Sequence, residues 1–184
     1  MRLLKRLLIL LIVLAVLFAG FLAYMGYFGT PQVTEQEMGP YTIAYESFVG
    51  PYAESGKVFD RLFKSLKTDG VEATRGFGIY YDDPAITPKD QLRSDCGIII
   101  EEQNLKKLAQ LKKKYLFMTI PRQKYLVVEF PIKNMLSYMI GPMKAYPAMS
   151  KYALEKGLAP SSAGYELYDG PNKKIYFMMA KTEK

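Results

Sequence analysis

Two similar stretches of sequence decide the predicted fold: GIYYDDP at residues 78–84 and YELYDGP at residues 165–171. Each reads as a short strand that ends in turn-forming Asp, Gly and Pro residues. Tyr81 and Tyr168 are 168 − 81 = 87 residues apart, and this spacing recurs between other matching positions of the two stretches. The spacing indicates an internal duplication.

Each copy predicts the same order of elements. The first contains an alternating strand at 41–49, a break at Gly50-Pro51 and an amphipathic helix, and the second begins with a strand at 125–131. In the second copy, Ile140-Gly141-Pro142 is expected to repeat the break before its helix. The pattern predicts an α+β fold of two β-α-β-β units, with antiparallel sheets and two helices around a pseudo-two-fold axis. A short helix within 101–115 is expected to link the units.

The N-terminal thirty residues predict one transmembrane helix. No charged residue occurs from Leu7 to Met25, a run of 25 − 7 + 1 = 19 residues. That length crosses a hydrocarbon core of about 30 Å. Arg2, Lys5 and Arg6 precede the run, and aromatic residues follow it. The bilayer is therefore the first predicted partner, through residues 7–25.

A cleaved signal peptide is the alternative to this anchor. Its apolar region is usually about 7–15 residues long and is followed by a small-residue cleavage site. Here the small residues Ala19, Gly20 and Ala23 lie inside the apolar run, which favours an uncleaved anchor. The basic N-terminus predicts a cytoplasmic end. The protein would then be a single-pass protein of the cell (inner) membrane, with its domain on the periplasmic or extracellular side.

Residues 31–40 are expected to be a linker, and residues 41–184 a single domain. The net charge of +7 includes three positive charges in the anchor, which leaves +7 − 3 = +4 for the rest. Lysines at 106–114 and near the C-terminus are interpreted as solvated surface, with attraction to anionic lipid headgroups as the alternative. The sequence lacks a dense basic motif, so no nucleic-acid partner is expected.

The residue types that are missing restrict the chemistry. The chain has no histidine and one cysteine, Cys96. This composition excludes a Ser-His-Asp triad, a Cys-His dyad and histidine-ligated zinc or haem. Cys96 is expected to be a buried, inert thiol on the edge of the third strand. Asp82, Asp83 and Asp95 could converge on a cation, but turn formation explains the first two more simply. No metal and no cofactor are therefore expected.

Several motifs resemble the GyrI-like small-molecule-binding family, which includes effector-binding domains of multidrug-responsive transcription regulators. They are FVGPY at 48–52, GIYYDDP at 78–84, and TPKDQLRSDCG at 87–97, which is similar to a Pro-x-x-x-Leu-Arg-x-Asp signature. The resemblance covers about residues 41–181. It implies a duplicated β-α-β-β fold with an aromatic-lined cavity between the halves. In drug-binding members a glutamate before a tyrosine in the second copy helps to bind lipophilic cations, and Glu166 matches it.

The residues themselves also point to Glu166. In a strand, Glu166 and Tyr168 share one face, and the spacing of 87 makes Ile79 and Tyr81 their counterparts. A carboxylate therefore replaces an apolar residue, and burial would require a cation or hydrogen bonds. The alternative is that Glu166 faces water or pairs with a lysine. The predicted ligand-binding residues are Glu166, Tyr168, Tyr81, Tyr80 and Tyr176, although a core position with a satisfied hydroxyl is the favoured explanation for any one of the tyrosines.

Three functions remain open from the sequence. The first is a membrane-anchored module that binds a hydrophobic small molecule, cationic or neutral. The second is a hydrolase of strained electrophilic toxins, as the resemblance allows, with Glu166 as acid/base. The third is docking of an unidentified protein partner. The motifs favour the binding module, and no catalytic residue is assigned beyond the alternative role of Glu166.

Overall fold

The computed structural model describes residues 2–159 and 163–181. These residues form four α-helices and eight strands, joined by short 3-10 turns. In chain order the elements are α1 (Arg2–Tyr24), β1 (Val33–Met38), β2 (Tyr41–Val49), α2 (Gly56–Thr68), β3 (Arg75–Tyr80), β4 (Arg93–Ile99), α3 (Leu108–Leu111), β5 (Leu116–Ile120), β6 (Gln123–Pro131), α4 (Ser137–Glu155), β7 (Gly164–Asp169) and β8 (Lys174–Ala180).

The eight strands form one antiparallel sheet in the order β1-β6-β8-β7-β3-β4-β2-β5. One half holds the unit β2-α2-β3-β4 and the other holds the unit β6-α4-β7-β8. Strands β3 and β7 pair antiparallel and join the two halves at the centre of the sheet. The predicted α+β fold with a duplicated β-α-β-β unit is confirmed.

Each unit completes its sheet with a strand that precedes the other unit. β1 precedes the first unit but pairs with β6 of the second, and β5 precedes the second unit but pairs with β2 of the first. The prediction of a linker at 31–40 is therefore wrong for residues 33–38. β1 has little apolar sequence because it is an edge strand, and its polar side chains reach neighbours such as Lys181, which pairs with Glu35 at 2.9 Å.

The two faces of the sheet bury different cores. On one face, α2 packs Val58, Leu62 and Leu66 against the first unit, and α4 packs its own apolar side against the second unit. The opposite face carries a third cluster to which all eight strands contribute. Because both edge strands reach this cluster, the sheet must curl around it. We call the first surface the helix face and the second the inner face.

The register between β3 and β7 corrects the repeat spacing. Gly78 lies opposite Glu166, so these two residues share the helix face. Ile79 and Leu167 both pack in the inner-face cluster. Ile79 is therefore not the counterpart of Glu166, and the spacing of 87 is wrong by one residue. A shift of one residue along a strand moves every side chain to the opposite face.

A repeat spacing of 88 between β3 and β7 agrees with the pairing of the neighbouring strands in the two units. It makes Gly78 the counterpart of Glu166 (166 − 78 = 88) and Tyr80 the counterpart of Tyr168 (168 − 80 = 88). The β2–β4 ladder then ends at Val49–Arg93 and the β6–β8 ladder at the matching pair Pro131–Lys174. The prolines that suggested 87 lie in turns of different length, 81–92 after β3 and 170–173 after β7, and are not structurally equivalent.

Helix α4 also differs from its predicted form. It begins at Ser137, so Gly141 and Pro142 lie inside the helix and do not form a break like Gly50-Pro51. Gly141 is buried, and a Cβ added there would lie 2.5 Å from Cζ of Phe177 in β8. The glycine therefore lets the helix backbone approach the sheet closely, which explains its place within a helix.

Helix α1 is long and apolar enough to cross a membrane, with a mean hydropathy of 3.0 over its most apolar window. Its residues are exposed along almost the whole length. The residue that follows, Met25, is fully buried and belongs to the α4 cluster. The end of α1 is therefore attached to the folded domain.

Candidate functional site

Glu166 lies near the centre of the helix face, between the segments around α2 and α4, and we call this region the Glu166 groove. It is buried, with 6% of its surface exposed. Tyr146 of α4 donates a hydrogen bond to its Oε1 at 2.9 Å, and Tyr168 of β7 donates to its Oε2 at 2.6 Å. The strand alternation predicted from the sequence thus places Glu166 and Tyr168 together, and α4 supplies a second tyrosine.

A chain of hydroxyl groups connects the carboxylate to the other unit. The hydroxyl oxygens of Tyr80 and Tyr168 are 2.7 Å apart. Because Tyr168 has one hydroxyl proton and donates it to Glu166, Tyr80 must donate to Tyr168. The side chain of Ser55, just before α2, hydrogen-bonds to Tyr80 in turn. The predicted site residues Glu166, Tyr168 and Tyr80 therefore form one continuous network.

Aromatic rings enclose this network. The ring centroids of Tyr52 and Tyr80 are 4.8 Å apart. The ring centroids of Phe59 and Tyr138 lie 5.3 Å and 5.8 Å from the ring centroid of Tyr168. These rings come from both units, in the segments around α2 and α4. Aromatic rings from both units therefore surround the buried carboxylate of Glu166.

Glycines in β3 make room for the rings. A Cβ at Gly78 would lie 2.7 Å from Cε2 of Tyr80, and one at Gly76 would lie 3.3 Å from Cδ2 of Tyr168. A side chain at either position would point toward the helix face and occupy the space that the tyrosine rings fill. The alternation Gly76, Gly78, Tyr80 is therefore part of the site.

Burial controls the ionisation of the site. It raises the pKa of Glu166 to about 7, although the hydrogen bonds from Tyr168 and Tyr146 act in the opposite direction. Burial also raises the pKa of Tyr80, Tyr146 and Tyr168, so their hydroxyls stay protonated and remain donors. At neutral pH the carboxyl group therefore exchanges between its charged and neutral forms.

No basic side chain neutralises Glu166 in the part of the chain that the structure describes. The ion pairs formed by these residues all involve other carboxylates, such as Arg75 with Glu101 at 2.6 Å and Arg93 with Asp82 at 2.8 Å. Two tyrosine hydroxyls are thus the partners of a buried anion. A buried carboxylate without a cation is costly to ionise, and a positively charged guest would lower that cost.

Two of the predicted site residues lie elsewhere. Tyr81 is on the inner face and donates a hydrogen bond to Oδ2 of Asp95 at 2.6 Å, beside a shallow depression near Ser47. Tyr176 packs against the inner-face cluster. Neither residue is close to Glu166 on the helix face. For Tyr81, the misplacement follows directly from the one-residue error in the repeat.

The sequence reasoning also missed residues that belong to the site. Tyr52, Phe59, Tyr138 and Tyr146 surround the network but were not predicted as site residues. Tyr52 could have been found, because it lies in the GPY motif at 50–52. The positions of Tyr138 and Tyr146 follow from how α4 lies across the sheet, and the sequence pattern does not determine that placement.

The remaining candidates have structural roles. Cys96 is buried in β4, which pairs on both sides, so it is not on an edge. Burial raises the pKa of its thiol to about 11, which leaves little reactive thiolate at neutral pH. Asp82 pairs with Arg93, and Asp95 accepts from Ser47 at 2.6 Å. Within 2–159 and 163–181, no group of three acidic or cysteine side chains could hold a metal.

Comparisons with known proteins agree with this architecture. Testis-expressed protein 264 of Homo sapiens is 28% identical over 146 residues, which cover 74% of this chain and 43% of that protein. This chain therefore spans less than half of the length of that relative. The SPbeta prophage-derived putative transcriptional regulator YosT of Bacillus subtilis is 35% identical over 109 residues, or 54% of this chain and 72% of that protein.

Solved structures share the fold at low sequence identity. The C-terminal domain of EcmrR matches with a TM-score of 0.58 at 13% identity, over 84% of this chain and 99% of that domain. SAV2435 bound to tetraphenylphosphonium matches with a TM-score of 0.54 at 14% identity, over 82% and 94% of the two chains. A family model described as a GyrI-like small molecule binding domain matches residues 31–181. The chain therefore belongs to the GyrI-like family of small-molecule-binding domains.

Proposed function

We propose that this protein is a membrane-anchored module that binds a hydrophobic small molecule, preferentially a cation, in the groove around Glu166. The observation that carries the proposal is a buried carboxylate with two tyrosine hydroxyls and no basic partner among the described residues. The ligand-binding unit is the sheet with its two helices, and it includes β1 as well as residues from 41 onward.

A lipophilic cation suits this groove for two reasons. Its charge would stabilise the ionised form of Glu166, which burial otherwise disfavours. Its apolar substituents would contact the rings of Tyr52, Phe59 and Tyr138, and each cation–π contact contributes about 0.5–2 kcal/mol. The fold relative SAV2435, whose structure contains tetraphenylphosphonium, supports this choice of ligand class.

The proposed anchor is α1, with residues 7–24 in the bilayer, because Met25 is buried in the core of the domain. Its length and composition suit a membrane span, and the basic residues at 2–6 favour a cytoplasmic N-terminus. The domain would then lie on the opposite side, in the periplasm or outside the cell. A binding module in that position would sequester or sense amphiphiles at the membrane.

Glu166→Gln tests the binding site. The amide keeps the shape of the side chain but removes the charge, so a cation should lose a contact of about 1.5–3 kcal/mol, or roughly ten- to more than hundredfold in affinity. The matched probes are methyltriphenylphosphonium and neutral triphenylphosphine oxide, which have the same three phenyl groups. Titration calorimetry on the full chain in lipid nanodiscs, with empty nanodiscs as the blank, measures both.

The expected result is a large loss for the cation and a small one for the neutral probe. Equal losses for both probes, or no loss for either, would show that Glu166 does not bind the cation. The groove would then select ligands by shape alone.

A hydrolase is the second candidate, because a buried carboxyl group with a pKa of about 7 is suited to proton transfer at neutral pH. In that case Glu166 would take a proton from water as the water oxygen bonds to the electrophilic carbon, and would return it to the leaving atom as the strained bond breaks. The hydroxyl of Tyr146 or Tyr168 would orient the carboxylate. Mass spectrometry would separate the two functions, since a binding module returns the ligand unchanged and a hydrolase releases a product that Glu166→Gln no longer forms.

A further inference from the structure

The two equivalent helices of the fold expose very different surfaces. Helix α2 presents an outward face rich in charge, with Lys57, Asp60, Arg61, Lys64 and Lys67 all exposed. Such a face is typical of a helix against water. Helix α4 occupies the matching position in the other unit, and its first two turns and the turn before it, residues 135–143 (MLSYMIGPM), carry no charge.

The uncharged start of α4 is exposed in the structure. Met135 is 79% exposed, Met139 62% and Met143 61%, and Leu136 and Tyr138 are about two-fifths exposed. Because residues 139 and 143 are one helical turn apart and 135 precedes them by the same interval, the methionines form one stripe. The other side of this segment is already buried, since Ile140 packs on the sheet. The segment is therefore apolar all round, which is unusual for a helix in water. We call the exposed side chains of residues 135, 136, 138, 139 and 143 the α4 patch.

The α4 patch begins where α1 joins the domain. Lys133 donates a hydrogen bond to the backbone carbonyl of Tyr24, and its ammonium group lies 4.3 Å from the centre of the Tyr24 ring. The side-chain amide of Asn134 lies 3.4 Å from the sulfur of the buried Met25. The residues that hold the end of α1 therefore directly precede Met135.

We propose that the α4 patch inserts into the interfacial layer of the same bilayer that α1 spans. This inference rests on the anchor in the proposed function. If residues 7–24 cross the bilayer, the end of α1 lies at the bilayer surface, and Lys133 and Asn134 hold the α4 patch beside it. Methionine and tyrosine side chains suit the boundary between acyl chains and headgroups, and Lys133 and Lys144 can reach lipid phosphates.

This orientation also places the Glu166 groove next to the membrane. The ring of Tyr138 belongs to the α4 patch and lies 5.8 Å from the ring of Tyr168, which donates to Glu166. A hydrophobic ligand dissolved in the bilayer would therefore meet the groove without first crossing water.

The absence of tryptophan from the sequence provides a clean test. Single tryptophans are introduced into the full chain at Met139 in the α4 patch, at Lys64 on the outward face of α2, and at Val16 in α1. Each variant is reconstituted into phosphatidylcholine–phosphatidylglycerol vesicles with or without brominated acyl chains. Fluorescence is measured against bromine in the lipid and against iodide in the water. Met143→Trp serves as a second patch reporter in case Met139→Trp misfolds.

We expect the patch tryptophan to lose most of its fluorescence in brominated lipid and to resist iodide. Lys64→Trp should show the opposite behaviour. A patch tryptophan quenched by iodide like Lys64→Trp would overturn the proposal, and so would one protected from both quenchers, which would indicate that a second copy of the chain covers the α4 patch. Val16→Trp distinguishes failure of the anchor from failure of the patch. If brominated lipid does not quench the tryptophan at position 16, the proposed anchor is wrong. If brominated lipid quenches that tryptophan but not the patch tryptophan, only the insertion of the α4 patch is wrong.

Discussion

The hydroxyl oxygen of Tyr80 lies 2.7 Å from that of Tyr168, its counterpart across the pseudo-two-fold axis. The two tyrosines occupy equivalent positions in β3 and β7, but their roles differ because Glu166 replaces Gly78 of the first copy. Tyr168 gives its proton to the carboxylate, and Tyr80 gives its own to Tyr168. The duplication thus supplies two equivalent tyrosine hydroxyls. Because only the second copy carries the carboxylate, the hydrogen bonds run in one direction, from Tyr80 through Tyr168 to Glu166.

Binding of a cation should depend on pH. With a pKa of about 7, Glu166 is mostly charged above neutrality and mostly neutral below it. The affinity for methyltriphenylphosphonium should therefore rise about tenfold between about pH 6 and pH 8, as the ionised fraction does. Titrations across this range on the wild type and on Glu166→Gln measure the effect. A flat profile for the wild type, or the same slope in the variant, would contradict this role of Glu166.

Removal of the Tyr168 hydroxyl should move that pH profile. The hydrogen bond from Tyr168 lowers the pKa of Glu166, so Tyr168→Phe should raise it further and shift the midpoint of cation binding to higher pH. Tyr81→Phe is the matched control, since its hydroxyl bonds to Asp95 on the inner face. A shift in the control variant, or none in Tyr168→Phe, would contradict the role of the Tyr168 hydrogen bond in setting the pKa of Glu166.

The fold could be predicted from the sequence because the repeated pattern of strand, helix and strands is strong in both copies. Strands β1 and β5 were not predicted. The sequence of β1, VTEQEM (33–38), is polar, and the sequence of β5, LFMTI (116–120), is short and follows a run of lysines. Both are edge strands whose partners lie in the other unit, so local pattern carries little of their stability. Long-range pairing, which determines them, is not readable from one sequence.

The site could be predicted in part for a related reason. Strand alternation placed Glu166 with Tyr168, but the repeat was aligned on matching positions such as Tyr81 with Tyr168 and Pro84 with Pro171, and the two prolines lie in turns of unequal length. That choice put Tyr81 in place of Tyr80. The tyrosines of α4 depend on how the helix crosses the sheet, where the backbone at Gly141 lies close to Phe177. Packing at that distance is a tertiary property.

Stability should also report the buried carboxyl group. The folded-state pKa of Glu166, about 7, is above its ordinary value of 4.5. The native state therefore binds more protons than the unfolded state between these values, and stability must fall as pH rises through this range. The loss is of order 3 kcal/mol if the whole shift applies. In thermal melts from about pH 4.5 to pH 7.5, the Tm of the wild type minus the Tm of Glu166→Gln should decrease as pH rises. If this signed difference stays constant or increases with pH, the raised pKa is contradicted.

Substitution of Gly141 should destabilise the second unit. A Cβ there would lie 2.5 Å from Cζ and 2.8 Å from Cε2 of Phe177, a ring that is fully buried under α4. The ring cannot move away freely in a packed core, so Gly141→Ala should lower the free energy of unfolding by about 1–3 kcal/mol. The gain in helix propensity, about 1 kcal/mol for glycine to alanine, offsets part of this cost.

Gly56→Ala at the start of α2 is the control, because nothing lies within 4 Å of its added Cβ. Its melting temperature should stay the same or rise. If Gly141→Ala melted like Gly56→Ala, close packing of α4 on the sheet would not be what holds Tyr138 and Tyr146 over Glu166.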